Sequence, residues 1–211
     1  MKQLFTEILA QFVTSKERKQ SRPNTRPRPF KNYLMLTIRP IKEIKTELLC
    51  DRQPVRNFPK AIDFPFDEFY FEITTQIRTI GISSECILFD SVEVVNATKI
   101  FSETDYWKEN YTKDEIAKFW IFGQNGQGDL WLFDIVNKIY FYDHNKEEMC
   151  IENFLELDLN FEKWLQLADL NKQLDDIYDT ENEINEELRA DYKEKLKELS
   201  SILFEKYPFV I

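Results

Sequence analysis

Four side chains in one stretch have the types that acid–base or metal chemistry requires: Asp129, Asp134, Asp143 and His144. A carboxylate beside an imidazole can move a proton, and carboxylates with a histidine can hold a divalent cation. His144 is the only histidine of the chain, which excludes multi-histidine zinc sites and leaves a Ser-His-Asp triad resting on one residue. Asp129 and Asp134 are an odd number of positions apart, so a regular strand would point them to opposite sides of its sheet. Asp143-His144-Asn145 has the composition of a turn in which Asp and Asn bond nearby backbone. A structural role is expected for all of them. No catalytic residue, metal ligand or cofactor is assigned.

Gly123, Gly126 and Gly128 fall in one turn and are three of only four glycines in the chain. Phosphate-binding glycine motifs need a following helix N-terminus, and a P-loop also needs Lys-Ser/Thr. Here the next element reads as a strand and no such pair follows, so both motifs are excluded. The glycines mark instead a turn of demanding shape, with Gly128 expected at a positive φ. Cys50, Cys86 and Cys150 are odd in number and lack any CxxC spacing, which suits free thiols in a reducing compartment.

The elements that position these residues follow from periodicity. Residues 119–122, 130–135 and 139–142 are aromatic and β-branched runs separated by short turns; they predict three consecutive antiparallel strands. Trp120, Phe122, Trp131, Phe133, Tyr140 and Tyr142 are expected to divide between the core and one exposed aromatic face. Upstream, 2–14 has helical spacing, and 16–31 holds seven basic residues, one Glu and three prolines, the composition of an exposed extended arm. Residues 33–38 read as a strand, and Pro40 opens a short helix with Ile41, Ile44 and Leu48 on one stripe. The alternation across 69–78 predicts another strand. Residues 87–89 read as a brief strand, followed by a helix capped by Ser91. A helix is expected over 161–170. A longer, acidic helical pattern covers 172–206, interrupted near Asp179-Thr180-Glu181, with its charges spaced for i,i+4 pairing.

Length fits one domain with extensions, and no run approaches a membrane span. The N-terminus is a poor signal peptide, so a cytoplasmic protein is expected. Charge is unevenly spread. Residues 1–60 hold 14 Lys/Arg against 5 Asp/Glu, whereas 61–211 hold 14 against 33. Acidic surface ordinarily maintains solubility; it also attracts a basic partner.

The order FWIFGQNGQGDLWLFD, then NKIYFYDHN, then ENFLELDLNFEKWLQLA resembles the SUKH superfamily, the bacterial immunity proteins related to yeast cell-wall-synthesis regulators. The resemblance rests on Phe122-Gly123, Gly128-Asp129, Asp134, Tyr142-Asp143-His144 and the segment 161–170, with 87–96 similar to the family's strand and short helix. It covers roughly 58–170. Upstream the chain departs from the family's Leu-Pro helix and Asn-Gly turn, because 57–82 alternates like a strand.

The resemblance implies an α+β fold: a twisted, mostly antiparallel sheet with helices packed against it. The expected organisation is an N-terminal extension over 1–56, the domain over 57–171, and an acidic helix over 172–211 packed on it. It also implies a non-enzymatic protein-binding module that neutralises a polymorphic toxin, such as a nuclease or deaminase, by direct contact. Nucleic-acid and membrane partners are not expected. Asn125, Gln127, Asp129, Trp131, Tyr142 and Asp143 are the residues expected to meet the partner. The alternatives are a regulatory scaffold with an endogenous partner, and a hydrolase using clustered Asp residues.

Overall fold

The central strands form where the aromatic runs place them. The computed structural model describes residues 35–103, 107–108, 111–146, 149–209 and 211. The expected helix over 2–14 and the arm over 16–31 lie outside the described residues. Among the described residues six antiparallel strands pair in sequence order: β1 (Ile80–Ser83), β2 (Cys86–Leu88), β3 (Phe119–Gln124), β4 (Leu130–Asp134), β5 (Ile139–Tyr142) and β6 (Leu155–Glu156). Helices α1 (Ile41–Leu48), α2 (Glu68–Thr74), α3 (Glu93–Phe101), α4 (Lys113–Ile116), α5 (Phe161–Glu181), α6 (Glu186–Leu199) and α7 (Ser201–Lys206) complete an α+β fold.

The sheet is covered on both faces. On one, Phe122 meets Trp164 of α5 at 4.8 Å, Tyr70 of α2 meets Phe133 at 4.9 Å, and Trp131 meets Trp164 at 5.7 Å between ring centres. On the other, the Thr98 hydroxyl of α3 accepts from the Ile121 amide at 3.2 Å, and Phe154 packs on Phe119 and Tyr142. Strands buried on both faces lose polar alternation, and every residue of β3 is buried. There is therefore no exposed aromatic face: Trp120, Phe122, Trp131, Phe133 and Tyr142 are buried and Tyr140 is half-buried.

Residues 69–78 do not form a strand. The Asp67 side chain accepts from the Phe69 and Tyr70 amides at 3.0 Å and starts α2. Tyr70, Ile73 and Thr74 then fall on one helical face, all fully buried. An aromatic, β-branched segment satisfies either period, and the cap with burial at i, i+3 and i+4 decides for the helix. Nor do 35–38 join the sheet: the Leu36 amide donates to Asp191 Oδ2 at 2.8 Å and the Thr37 amide to Gln173 Oε1 at 3.0 Å. Extended backbone here is satisfied by helix side chains rather than by a neighbouring strand. The cap of α3 is likewise Asp90, whose Oδ1 accepts from the Val92 and Glu93 amides, and not Ser91.

The expected boundaries at 56/57 and 171/172 do not interrupt packing, because Leu36–Ile211 is one compact unit. The 21-residue α5 runs straight through position 171 and ends at Asn182, which takes the left-handed conformation at φ 55°. Buried Asn171 accepts from Tyr192 Oη of α6 at 2.6 Å and donates to Tyr207 Oη at 2.8 Å. At the other end of the unit, Arg39 reaches buried Asp169 at 2.8 Å and Glu47 of α1 at 2.9 Å. Among the described residues no helix is long and apolar enough to cross a membrane, and the three cysteines are unpaired.

Replacing Asp67→Ala removes the cap of α2 while leaving its apolar face intact. It should lower stability by about 1 kcal/mol, read as a shift in the denaturant midpoint; an unshifted midpoint would show that burial alone holds the helix.

Candidate functional site

The glycine turn is built around one buried amide. Asn125 Oδ1 accepts from the Gln127 and Asp129 amides, each at 2.9 Å, and folds the backbone back on itself. Gly128 takes φ 96°, a conformation that side chains resist. A Cβ at Gly123 would stand 2.4 Å from the Ile87 carbonyl oxygen of β2, so the close approach of β2 and β3 requires glycine there. The Gly126 amide donates to the Ser84 carbonyl at 2.8 Å and ties this turn to the β1–β2 turn.

Asn125 Nδ2 donates to Asp129 Oδ2 at 2.8 Å and to Glu85 Oε2 at 3.2 Å. Asp129 Oδ1 accepts from the His144 amide at 3.0 Å and lies 2.6 Å from His144 Nδ1. The carboxylate accepts in that bond, so Nδ1 is the nitrogen that carries the proton. Asp143 Oδ1 accepts from the amide and side chain of Asn145, which is turn chemistry as the sequence implies.

Asp134 stands at the other end of β4. Its Oδ1 accepts from the Val136 and Lys138 amides, and its Oδ2 accepts from Tyr140 Oη at 3.1 Å. The four residues thus separate: potential ligand atoms of Asp129, Asp143 and His144 lie within 4.8 Å of one another, and Asp134 closes a different turn. Asp129 Oδ1 is engaged by His144 and Asp143 Oδ1 by Asn145. As it stands, the cluster joins the ends of β3, β4 and β5.

Of the residues expected to meet a partner, Asn125, Asp129, Trp131 and Tyr142 are buried. Trp131 Nε1 donates to the Glu85 carbonyl at 2.9 Å and Tyr142 Oη to the Lys146 carbonyl at 3.0 Å. Those four face inward because each satisfies a polar group inside the fold. Gln127 is exposed and Asp143 is half-buried, so both have accessible side chains.

The accessible charge lies beside this turn. Glu85 is half-buried; desolvation pushes its carboxyl above the usual range, the Asn125 donor opposes this, and Asp175 and Asp129 add to it. Asp175 of α5 accepts from the Ser84 amide at 2.7 Å and its hydroxyl at 3.1 Å. From there, residues 175–187 carry seven carboxylates and no Lys or Arg: Asp175, Asp176, Asp179, Glu181, Glu183, Glu186 and Glu187. They span the end of α5, the connection and the start of α6. The last turn of α5 holds no basic residue, although a helix C-terminus favours cations. Exposed Tyr178 stands among them.

The i,i+4 charge pairing expected on this segment is not what forms. Within α6 the ion pairs among the described residues are Arg189 with Glu186 and Lys195 with Glu198, both i,i+3. The cation-free elbow and the mixed-charge α6 differ in composition although they adjoin in sequence. No family model matches the chain, and comparison with curated proteins and with solved structures gives no match.

Because the fold raises the Glu85 pKa, it favours the neutral form, and ionisation of Glu85 works against stability as pH rises through the shifted value. Glu85→Gln keeps an acceptor for Asn125 without the charge. It should therefore raise the denaturation midpoint at neutral pH and lose that advantage in acid, below the ordinary carboxylate range. An advantage that persists in acid would assign the effect to packing.

Proposed function

We propose that this chain is a non-enzymatic protein-binding module, an immunity protein that neutralises a bacterial polymorphic toxin in the cytoplasm by direct contact. The observation that carries the reading is the exposed acidic elbow at 175–187. Asp176, Asp179 and Glu181 sit at the C-terminal end of α5, where the dipole disfavours acids, Glu186 and Glu187 open α6, where it favours them, and the segment itself holds no Lys or Arg. A toxin domain that handles nucleic acid carries the positive field its substrate demands. An acidic surface complements that field, speeds encounter and helps reject other partners.

The likeness to the SUKH superfamily gains support from α2, a helix upstream of the sheet where the alternation suggested a strand. The Gly and Asp positions quoted for that likeness lie at strand ends and turns around β3, β4 and β5. Binding by the elbow leaves the inward-facing Asn125 and Asp129 a positioning part: they hold the Glu85 turn against Asp175, at the start of the acidic segment.

The test is to co-purify the chain with the toxin domain encoded beside it and follow association from low to high salt. Changing Asp179, Glu183 and Glu187 to Asn or Gln should slow association about tenfold at low salt with little change in dissociation. Tyr178→Ala should mainly speed dissociation. Salt should slow the parent chain because screening reduces the field's reach to about 8 Å at physiological strength. Association indifferent to salt would contradict the electrostatic reading, and no complex with a neighbouring product would favour an endogenous partner instead.

A further inference from the structure

One face of α1 has the opposite character from the elbow. Lys42, Lys45, Thr46 and Leu49 recur at helical spacing, away from buried Ile44. With Arg52 they line an open pocket of about 390 Å³. Three cationic residues thus line one cavity in a chain of net charge −10. Lys45 is already engaged: its ammonium lies 2.6 Å from Glu72 Oε2 and 5.4 Å from the centre of the Phe69 ring. On the same helix, Glu47 is taken by Arg39 and Lys172. Lys42 and Arg52 form no ion pair among the described residues.

We propose that the pocket lined by Lys42, Lys45, Thr46, Leu49 and Arg52 binds a small phosphate monoester. The match is one of charge and shape. Two uncommitted cations balance a group of about −1.5 to −2 charge at neutral pH. The Arg52 guanidinium offers a planar fork suited to two phosphoryl oxygens, and Lys42 supplies a compact second charge. Thr46 Oγ1 donates to the Lys42 carbonyl at 2.8 Å and so braces the turn carrying Lys42. Leu49 and the lysine stems give the organic part of the ester an apolar wall. The pocket's volume is within the roughly 300–1,000 Å³ range of small-ligand sites. A carboxylate monoanion would leave one of the two cations unbalanced. The acidic remainder of the chain repels anions at long range, so the affinity must come from these local contacts.

The experiment titrates the full chain with phenyl phosphate, inorganic phosphate and benzoate, reading heat and the NMR amide shifts of 42–52. Phenyl phosphate should bind saturably, move those amides, and weaken as pH falls through the second phosphate pKa of about 6. Lys42→Ala and Arg52→Ala, both at exposed positions, should each weaken it about tenfold. Lys99→Ala on α3 should leave it unchanged. Inorganic phosphate acting through the same two residues would support recognition of the phosphoryl group. Four results would overturn the proposal: no saturable phenyl phosphate binding, benzoate binding as tightly, equal loss in Lys99→Ala, or binding of a short single-stranded oligonucleotide without the monoester.

Discussion

The contact of Trp164 with Phe122 and Trp131 sets the rest of this molecule in place. It fixes α5 across the central hairpin, and α5 then organises the elements packed on its own face of the sheet. Asp169 on the same helix is buried and is offset by Arg39, which brings the segment before α1 onto the unit. Two residues further, Asn171 satisfies the hydroxyls of Tyr192 and Tyr207 and so holds α6 and the C-terminal residues. Another turn on, Asp175 clasps the β1–β2 turn. Leaving buried Asp169, Asn171 or the hydroxyls of Tyr192 and Tyr207 unpaired would cost about 1–3 kcal/mol each, and more for a charge, so the helix cannot rotate or slide without losing several at once.

That arrangement explains where the surface charge ends up. The part of α5 before Asp175 is spent on core contacts. Its last two turns project past the sheet and carry the acidic elbow. The positive pocket belongs to α1, which is joined to α5 through Glu47 and Lys172 as well as Arg39. The imbalance visible along the chain, basic before residue 61 and acidic after, persists within the described residues as two differently charged surfaces.

What could be read from the sequence was what local chemistry determines. β3, β4 and β5 were legible because aromatic runs and a glycine turn leave little else for them to be, and Gly128 takes the positive φ that its turn suggests. Residues 69–78 were not legible. Phe69 to Thr74 satisfies period two and a helical stripe together, and the deciding interaction is the cap at Asp67, outside the alternating run. Residues 35–38 are extended, but their partners, Gln173 and Asp191, lie more than a hundred positions away. The same limit hid the candidate site. Asn125 and Asp129 look like exposed turn residues until Glu85 and His144 arrive from other turns to satisfy them. The elbow was visible as composition, yet only the end of α5 at Asn182 shows that Asp176, Asp179 and Glu181 oppose a helix dipole.

The central claim is that α5 is one cooperative element joining the aromatic core to the acidic surface. Native-state hydrogen exchange along α5 tests it without any partner. Amides from Leu165 to Asp175 should exchange with the same opening free energy as those of β3 and β4, reaching the global stability, because losing either half exposes shared buried contacts. Protection that falls away after Leu170, with residues 172–178 opening independently of the sheet, would contradict it and would make the C-terminal helices an appended module.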